Sequence, residues 1–188
     1  MGHRRILGKT VDFITGRVIT DTDDERFRQN LARFLVEKKG YSRKDIQVKR
    51  RLEMVIEGKK VLSMVDFIVQ IEGRSVIAVR YGPGSIVTRE RPALAAARIV
   101  EPYQVPLTVV TNGVDAEVLD TFSGKVIASG LEAIPDKNTV SGKSENTVSH
   151  GLSPERRDME QRILMAYDWL EHSLECDDDW CEPEGMSD

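Results

Sequence analysis

The sequence predicts an α/β fold, an α+β mixed sheet flanked by helices, and three observations predict it. Two apolar runs, Val65 to Ile71 and Ser75 to Tyr81, are separated only by Glu72-Gly73-Arg74, which is the pattern of a tight hairpin. An Ala-rich segment, Ala93-Leu94-Ala95-Ala96-Ala97, then leads to a third apolar run, Leu107 to Thr111, as a strand–helix–strand crossover does; its hand is expected to be right. Before the hairpin, Phe27, Leu31, Phe34 and Leu35 fall at i, i+4, i+7 and i+8, one face of a helix.

The remaining elements follow in order. Residues 1–8 read as a loose start, and Val11 to Ile19 as a short hairpin around Thr15-Gly16. Thr22-Asp23-Asp24-Glu25 is a capping-box pattern that opens the first helix, and Gly40 stops it near Lys39. Ile46 to Ile56 is a strand whose even positions are apolar, interrupted at Arg50, and Glu57-Gly58-Lys59-Lys60 turns it into an antiparallel partner. That partner, Val61 to Ile71, is almost continuously apolar and so is expected at the centre of the sheet. Gly82-Pro83-Gly84-Ser85 is a strand-to-helix turn that matches no spaced-glycine phosphate motif. Thr88 is the expected cap of the next helix, with Pro92 near its first turn and Pro102 limiting it. Ala116 to Leu119 and Val126 to Ala128 form a last hairpin.

Residues 1–134 make one domain on this reading. Residues 135–152, rich in Ser, Asn and Gly, read as a linker. Ser153-Pro154 opens a C-terminal helix over 153–175, with Met159, Ile163, Ala166, Leu170 and Leu174 as its apolar stripe, and 176–188 is an acidic tail.

The net charge of −4 conceals a gradient. Residues 1–60 hold 16 Lys+Arg against 9 Asp+Glu, whereas 151–188 hold 3 against 12. A basic N-terminal third is compatible with a polyanionic partner and equally with cations that solvate a helix face. With 40% apolar and 31% charged residues, no run of transmembrane length and no apolar leader, the expectation is a soluble cytoplasmic protein with no membrane partner. Cys176 and Cys181 imply no disulfide framework, and with His172 they offer only three ligands to a zinc ion.

The residues Val65-Asp66-Phe67-Ile68-Val69, Val76-Ile77-Ala78-Val79-Arg80, the helix from Thr88 and the segment Pro106 to Gly113 resemble the N-terminal nuclease domain of type I restriction enzyme R subunits, a branch of the PD-(D/E)XK nuclease superfamily. The resemblance spans roughly residues 22–130 and implies a restriction-endonuclease-like αβββαβ core. It also implies an acidic residue and a lysine, as E-x-K, on the second hairpin strand, with carboxylates holding Mg²⁺. Those positions here read Ala78-Val79-Arg80. Ala78 has no ligand atom, and Arg80 stays protonated and cannot serve as a base. Asp66, the possible metal ligand, is expected to pair with Arg80 across the hairpin.

Glu90, one turn into the following helix, and Glu25, on the first helix, are candidates for a relocated carboxylate; each is also explained as a helix N-terminal charge. Arg89, Arg91, Arg98, Lys49, Arg50 and Arg51 are the candidate DNA-binding cations. Three functions are open: a catalytically degenerate nuclease fold that binds DNA or a protein partner, with no cofactor; an active Mg²⁺-dependent endonuclease using Asp66 with Glu90 or Glu25; or a structural module that oligomerises through its C-terminal helix. The R subunits that the chain resembles continue into a helicase motor, and no Gly-rich NTP-binding loop occurs here.

Overall fold

A computed structural model describes residues 5–144 and 151–172 of the chain. The expectations for the tail 176–188, for Cys176 and Cys181, for Leu174 and for the side chains of Leu170 and His172 lie outside the described residues.

The chain begins with a two-stranded hairpin, β1 (Ile6–Val11) and β2 (Val18–Thr22). β1 therefore takes in residues that the sequence reads as a loose start. Helix α1 (Asp23–Glu37) follows directly, capped by the Thr22 hydroxyl, which accepts from the Glu25 amide at 3.1 Å. Then come β3 (Ile46–Ile56), β4 (Lys59–Ile71), β5 (Arg74–Tyr81), α2 (Val87–Ile99), β6 (Leu107–Thr111), β7 (Ala116–Asp120), β8 (Val126–Ser129), α3 (Lys137–Ser144) and α4 (Pro154–His172). The six-stranded sheet runs β3-β4-β5-β6-β7-β8, and β5–β6 is its parallel pair. The order α1-β3-β4-β5-α2-β6 is the one expected from the sequence.

Both long hairpins close through a Glu-Gly pair with positive φ, Glu57-Gly58 (52° and 78°) and Glu72-Gly73 (51° and 79°). Two successive positive φ values match the right-handed twist of the flanking strands, which sets the register at Ile56↔Lys59 and Ile71↔Arg74. Within the β3–β4 hairpin the sides exchange. Ile46, Val48, Phe67 and Val69 pack with Leu31 and Leu35 of α1. Leu52, Met54, Val61 and Val65 pack with α2 and with Leu164 of α4. A period of two would keep Val48 and Leu52 on one face. Lys49, at φ 51°, breaks that alternation, and neither Lys49 nor Asp66 takes part in the β3–β4 pairing. Asp66 thus sits at the point where β4 changes sides.

α2 differs from expectation at its start. The helix begins at Val87, and Thr88 lies inside its first turn with its hydroxyl donating to the Ser85 carbonyl; Pro92 falls within the helix. Ala95, Ala96 and Ala97 are fully buried and let α2 lie close on the sheet.

The stretch read as a linker contains α3. Polar composition argued against order, but Val140 packs into the α1-side core, Tyr41 Oη donates to the Pro135 carbonyl at 2.8 Å, and Lys137 pairs with Asp45 at 2.6 Å. α4 buries Glu160, Leu164 and Asp168. The stripe read from the sequence faces largely outward, with Met159 at 52% exposure and Ala166 exposed, while Ile163 is part-buried against the α2-side core. Two of the three buried positions are charged because the surface beneath them carries arginines.

Leu164 is fully buried between α2 and the β3–β4 hairpin. Leu164→Ala is expected to lower unfolding free energy by about 2–5 kcal/mol, the range for a core leucine. Urea unfolding checks this; a loss below about 1 kcal/mol would mean that α4 is peripheral to the core.

Candidate functional site

The polar cluster at the β3–β4 crossover is built by α1. The capping geometry turns the first helical turn so that Asp24, Glu25 and Arg28 face the sheet. Arg28 stands three and seven residues before Leu31 and Leu35, on the apolar stripe itself. Its Nε donates to Asp66 Oδ1 at 2.5 Å, and the backbone N–H of Tyr81 donates to Asp66 Oδ2 at 2.7 Å. Both oxygens of this buried carboxylate are therefore engaged.

Glu25, 4% exposed, accepts from Gln29 Nε2 at 2.8 Å, lies 3.2 Å from Lys49 Nζ and has the Arg28 guanidinium 3.9 Å away. Its side chain serves this cluster, so only the Thr22 half of the expected capping box forms. Gln29 also donates to Asp12 at 2.8 Å, tying the N-terminal hairpin to α1. Burial opposes ionisation of Asp12, but the hydrogen bonds from Thr15, Gln29 and Ile14 outweigh it and hold its carboxyl below the usual range.

Two carboxylates, Asp66 and Glu25, thus face two cations, Arg28 and Lys49. Burial works against the Arg28 charge, but Asp66, Glu25 and Asp24 more than compensate and raise its pKa. Tyr81 closes one side, with its ring 5.0 Å from the guanidinium and its hydroxyl donating to Asp24 at 3.0 Å. Burial, then the Asp24 charge, pushes the Tyr81 phenol well above its ordinary range.

The expected Asp66–Arg80 pair does not form. The register Phe67↔Val79 carries Arg80 to the place across from Asp66. Yet Asp66 turns toward α1 at the crossover, while Arg80 turns toward α4 and donates to Asp168 Oδ1 at 3.0 Å. Ala78 is buried among the α2-side residues and carries no ligand. Glu90 lies against Glu117 of β7 and not beside Asp66. Burial, then the Glu90 charge, pushes the Glu117 carboxyl up.

The candidate DNA-binding cations divide. Arg98 is buried, donating to Glu160 Oε1 at 2.9 Å and to the Thr121 carbonyl at 3.0 Å. Arg91 lies 3.0 Å from Glu160 and Arg156 3.1 Å from it. Arg91 and Arg98 therefore hold α4 in place, and Arg98 is withdrawn from solvent; an Ala-rich helix face gave no sign of a carboxylate above it. Arg89 is half-buried and donates to the Pro83 carbonyl at 3.2 Å. Lys49, Arg50 and Arg51 are exposed along β3 beside the crossover.

Residues 23–135 match the family described as the type I restriction enzyme R protein N terminus (HSDR_N). The chain belongs to this family. No curated protein and no solved structure matches it. In this chain the expected carboxylates do not suit Mg²⁺. That ion requires near-octahedral oxygen ligands, whereas Asp66 is saturated by N–H donors, Ala78 supplies nothing, and a guanidinium lies between Asp66 and Glu25. Among the described residues no group of three or more His, Cys, Asp or Glu is placed to hold a metal ion. Asp168, the counter-ion of Arg80, comes from α4, beyond the residues that match the family. Arg28 and Asp168 were missed in the sequence although each is a charged residue on a buried helical stripe.

Arg28→Ala is expected to cost about 3–5 kcal/mol, because it strands Asp66 as a buried charge. Adding Asp66→Asn should recover part of that loss; a purely additive double mutant in denaturant melts would mean that the two do not interact. Glu117 supplies a pH test. Its folded pKa is raised, so its contribution to stability is full below its ordinary value of 4.5 and is lost as pH rises through the folded value. Between pH 4 and pH 7, Glu117→Gln should show a smaller fall in Tm than the parent.

Proposed function

We propose that this chain has a restriction-endonuclease-like core that binds DNA without cleaving it. The observation that carries this reading is Arg28, whose guanidinium supplies to Asp66 and Glu25 the positive charge that a metal ion would supply in a nuclease. The loss of the acid and lysine at Ala78 and Arg80 supports it as well. The binding half rests on Arg50 and Arg51, exposed cations on β3 next to the cluster, suited to phosphate contacts that position a duplex without reading its sequence.

A second reading, a Mg²⁺-dependent endonuclease, draws on the meeting of Asp66 with Glu25; it requires Arg28 to leave both carboxylates. Glu90, turned toward Glu117, adds nothing to it. A protein partner on the exposed Met159 and Tyr167 of α4 is a third reading.

End-labelled single- and double-stranded DNA incubated with Mg²⁺ or Mn²⁺ should remain uncut. Duplex affinity should fall steeply with salt through counterion release, and Arg50→Ala with Arg51→Ala should lower the slope of log K against log salt by about 2. Metal-dependent cutting that disappears in Asp66→Ala would establish the second reading instead. Binding indifferent to salt would remove DNA as the partner.

A further inference from the structure

A cavity of about 180 Å³ opens between the end of β5, the first turn of α2 and α4, lined by Arg80, Thr88, Arg89, Pro92, Tyr167 and Asp168. It adjoins the Asp66 cluster through Tyr81, which also lines it, but it is a separate site, since two of its walls come from α4, outside the family segment. Its volume lies below the roughly 300 Å³ at which pockets for drug-sized ligands begin, so it suits a single ring system with a small substituent.

Each wall has a distinct chemistry. Arg80 and Asp168 line the cavity as an ion pair through Oδ1; Asp168 is 5% exposed, and its second oxygen, Oδ2, is buried with no hydrogen-bond partner among the described residues. A buried carboxylate oxygen left in this state is costly, and an N–H donor would relieve it. Pro92, which is buried in α2, and Tyr167, 41% exposed on α4, supply apolar lining. The rim carries Thr88 and Arg89 on the first turn of α2, a thirteen-residue helix whose N-cap position, Ile86, provides no side-chain cap. Its leading amides and the Arg89 guanidinium favour an anion there.

We infer that this cavity takes one unpaired nucleotide. The phosphate lies on the rim at Thr88 and Arg89, the base stacks on the Tyr167 ring, and an exocyclic amine of the base donates to the Asp168 carboxylate while Arg80 faces a neighbouring acceptor. A carboxylate receiving the N4 amine of cytosine is a known base-edge pairing, and aromatic stacking is tolerant of base identity. The inference rests on the nucleic-acid reading above and names the part of the ligand held at this place. A free mononucleotide and an unpaired nucleotide within a strand offer the same chemistry.

The test uses the full chain and four probes: a labelled single-stranded oligonucleotide, the corresponding blunt duplex, dCMP, and ribose 5-phosphate as a base-free control. The variant Tyr167→Ala alters an exposed side chain and should leave Tm unchanged. It is expected to weaken single-strand or dCMP binding about tenfold, equivalent to about 1.4 kcal/mol of lost stacking, with duplex affinity unaltered. Asp168→Asn should erase a preference for dCMP over TMP, because thymine lacks the amine. Binding of dCMP but not of the oligonucleotide identifies the free nucleotide as the source; the reverse identifies the strand. Unchanged single-strand and dCMP binding in Tyr167→Ala, or equal binding of dCMP and ribose 5-phosphate, overturns the inference. Duplex binding that still depends on Arg50 and Arg51 would then leave the proposed function standing while this pocket falls.

Discussion

The Arg28–Asp66 ion pair is the contact on which the arrangement of this domain turns. Arg28 projects from the buried stripe of α1, and Asp66 lies where β4 changes sides, so the pair fixes how the helix sits on the sheet. Neither group is tolerable there alone, since desolvating one ion costs several kcal/mol. Together with Glu25 and Lys49 they form a balanced set of two negative and two positive charges. The net gain over an apolar replacement is small by general experience, so the cluster is better understood as specifying a geometry than as a large source of stability.

The same cluster decides what chemistry is open to the site. Members of nuclease families use carboxylates at such a place to hold a metal ion, which polarises the phosphoryl oxygen and stabilises the leaving oxygen. Here the positive charge is covalently part of α1. A guanidinium can stabilise negative charge but offers no coordination site for water and no group that deprotonates near neutral pH. The fold relationship and the site chemistry therefore point in different directions, which is why family membership alone does not assign an activity.

A second set of charges seals the opposite face. Fully buried Glu160 gathers Arg91, Arg98 and Arg156, and Asp168 takes Arg80, so α4 neutralises cations that the family segment presents on β5 and α2. Leu164 between these two acids completes the core that Ala95, Ala96 and Ala97 leave shallow. A helix outside residues 23–135 is thereby part of the same packed body.

The strand and helix order was legible in the sequence because it rests on local signals: period-two and period-3.6 apolar patterns, two Glu-Gly turns and the Thr22 cap. The residues Ala78 and Arg80, where the resemblance implies an acid and a lysine, were equally plain, since they depend on identity alone. Charge pairing was not. Asp66 and Arg80 are adjacent by register, yet each found its partner on a helix 38 and 88 residues away in the chain, because a positive φ at Lys49 marks where the hairpin changes sides and the two side chains leave in opposite directions. α4 was misread for a related reason: its buried face is the one bearing Glu160 and Asp168, and a charged stripe looks solvent-facing until the arginines it must cover are known. The sequence by itself determined the core strands and helices and their order. Only the tertiary structure decided which charges meet, because burial makes every ion seek a partner and the nearest one in space need not be near in sequence.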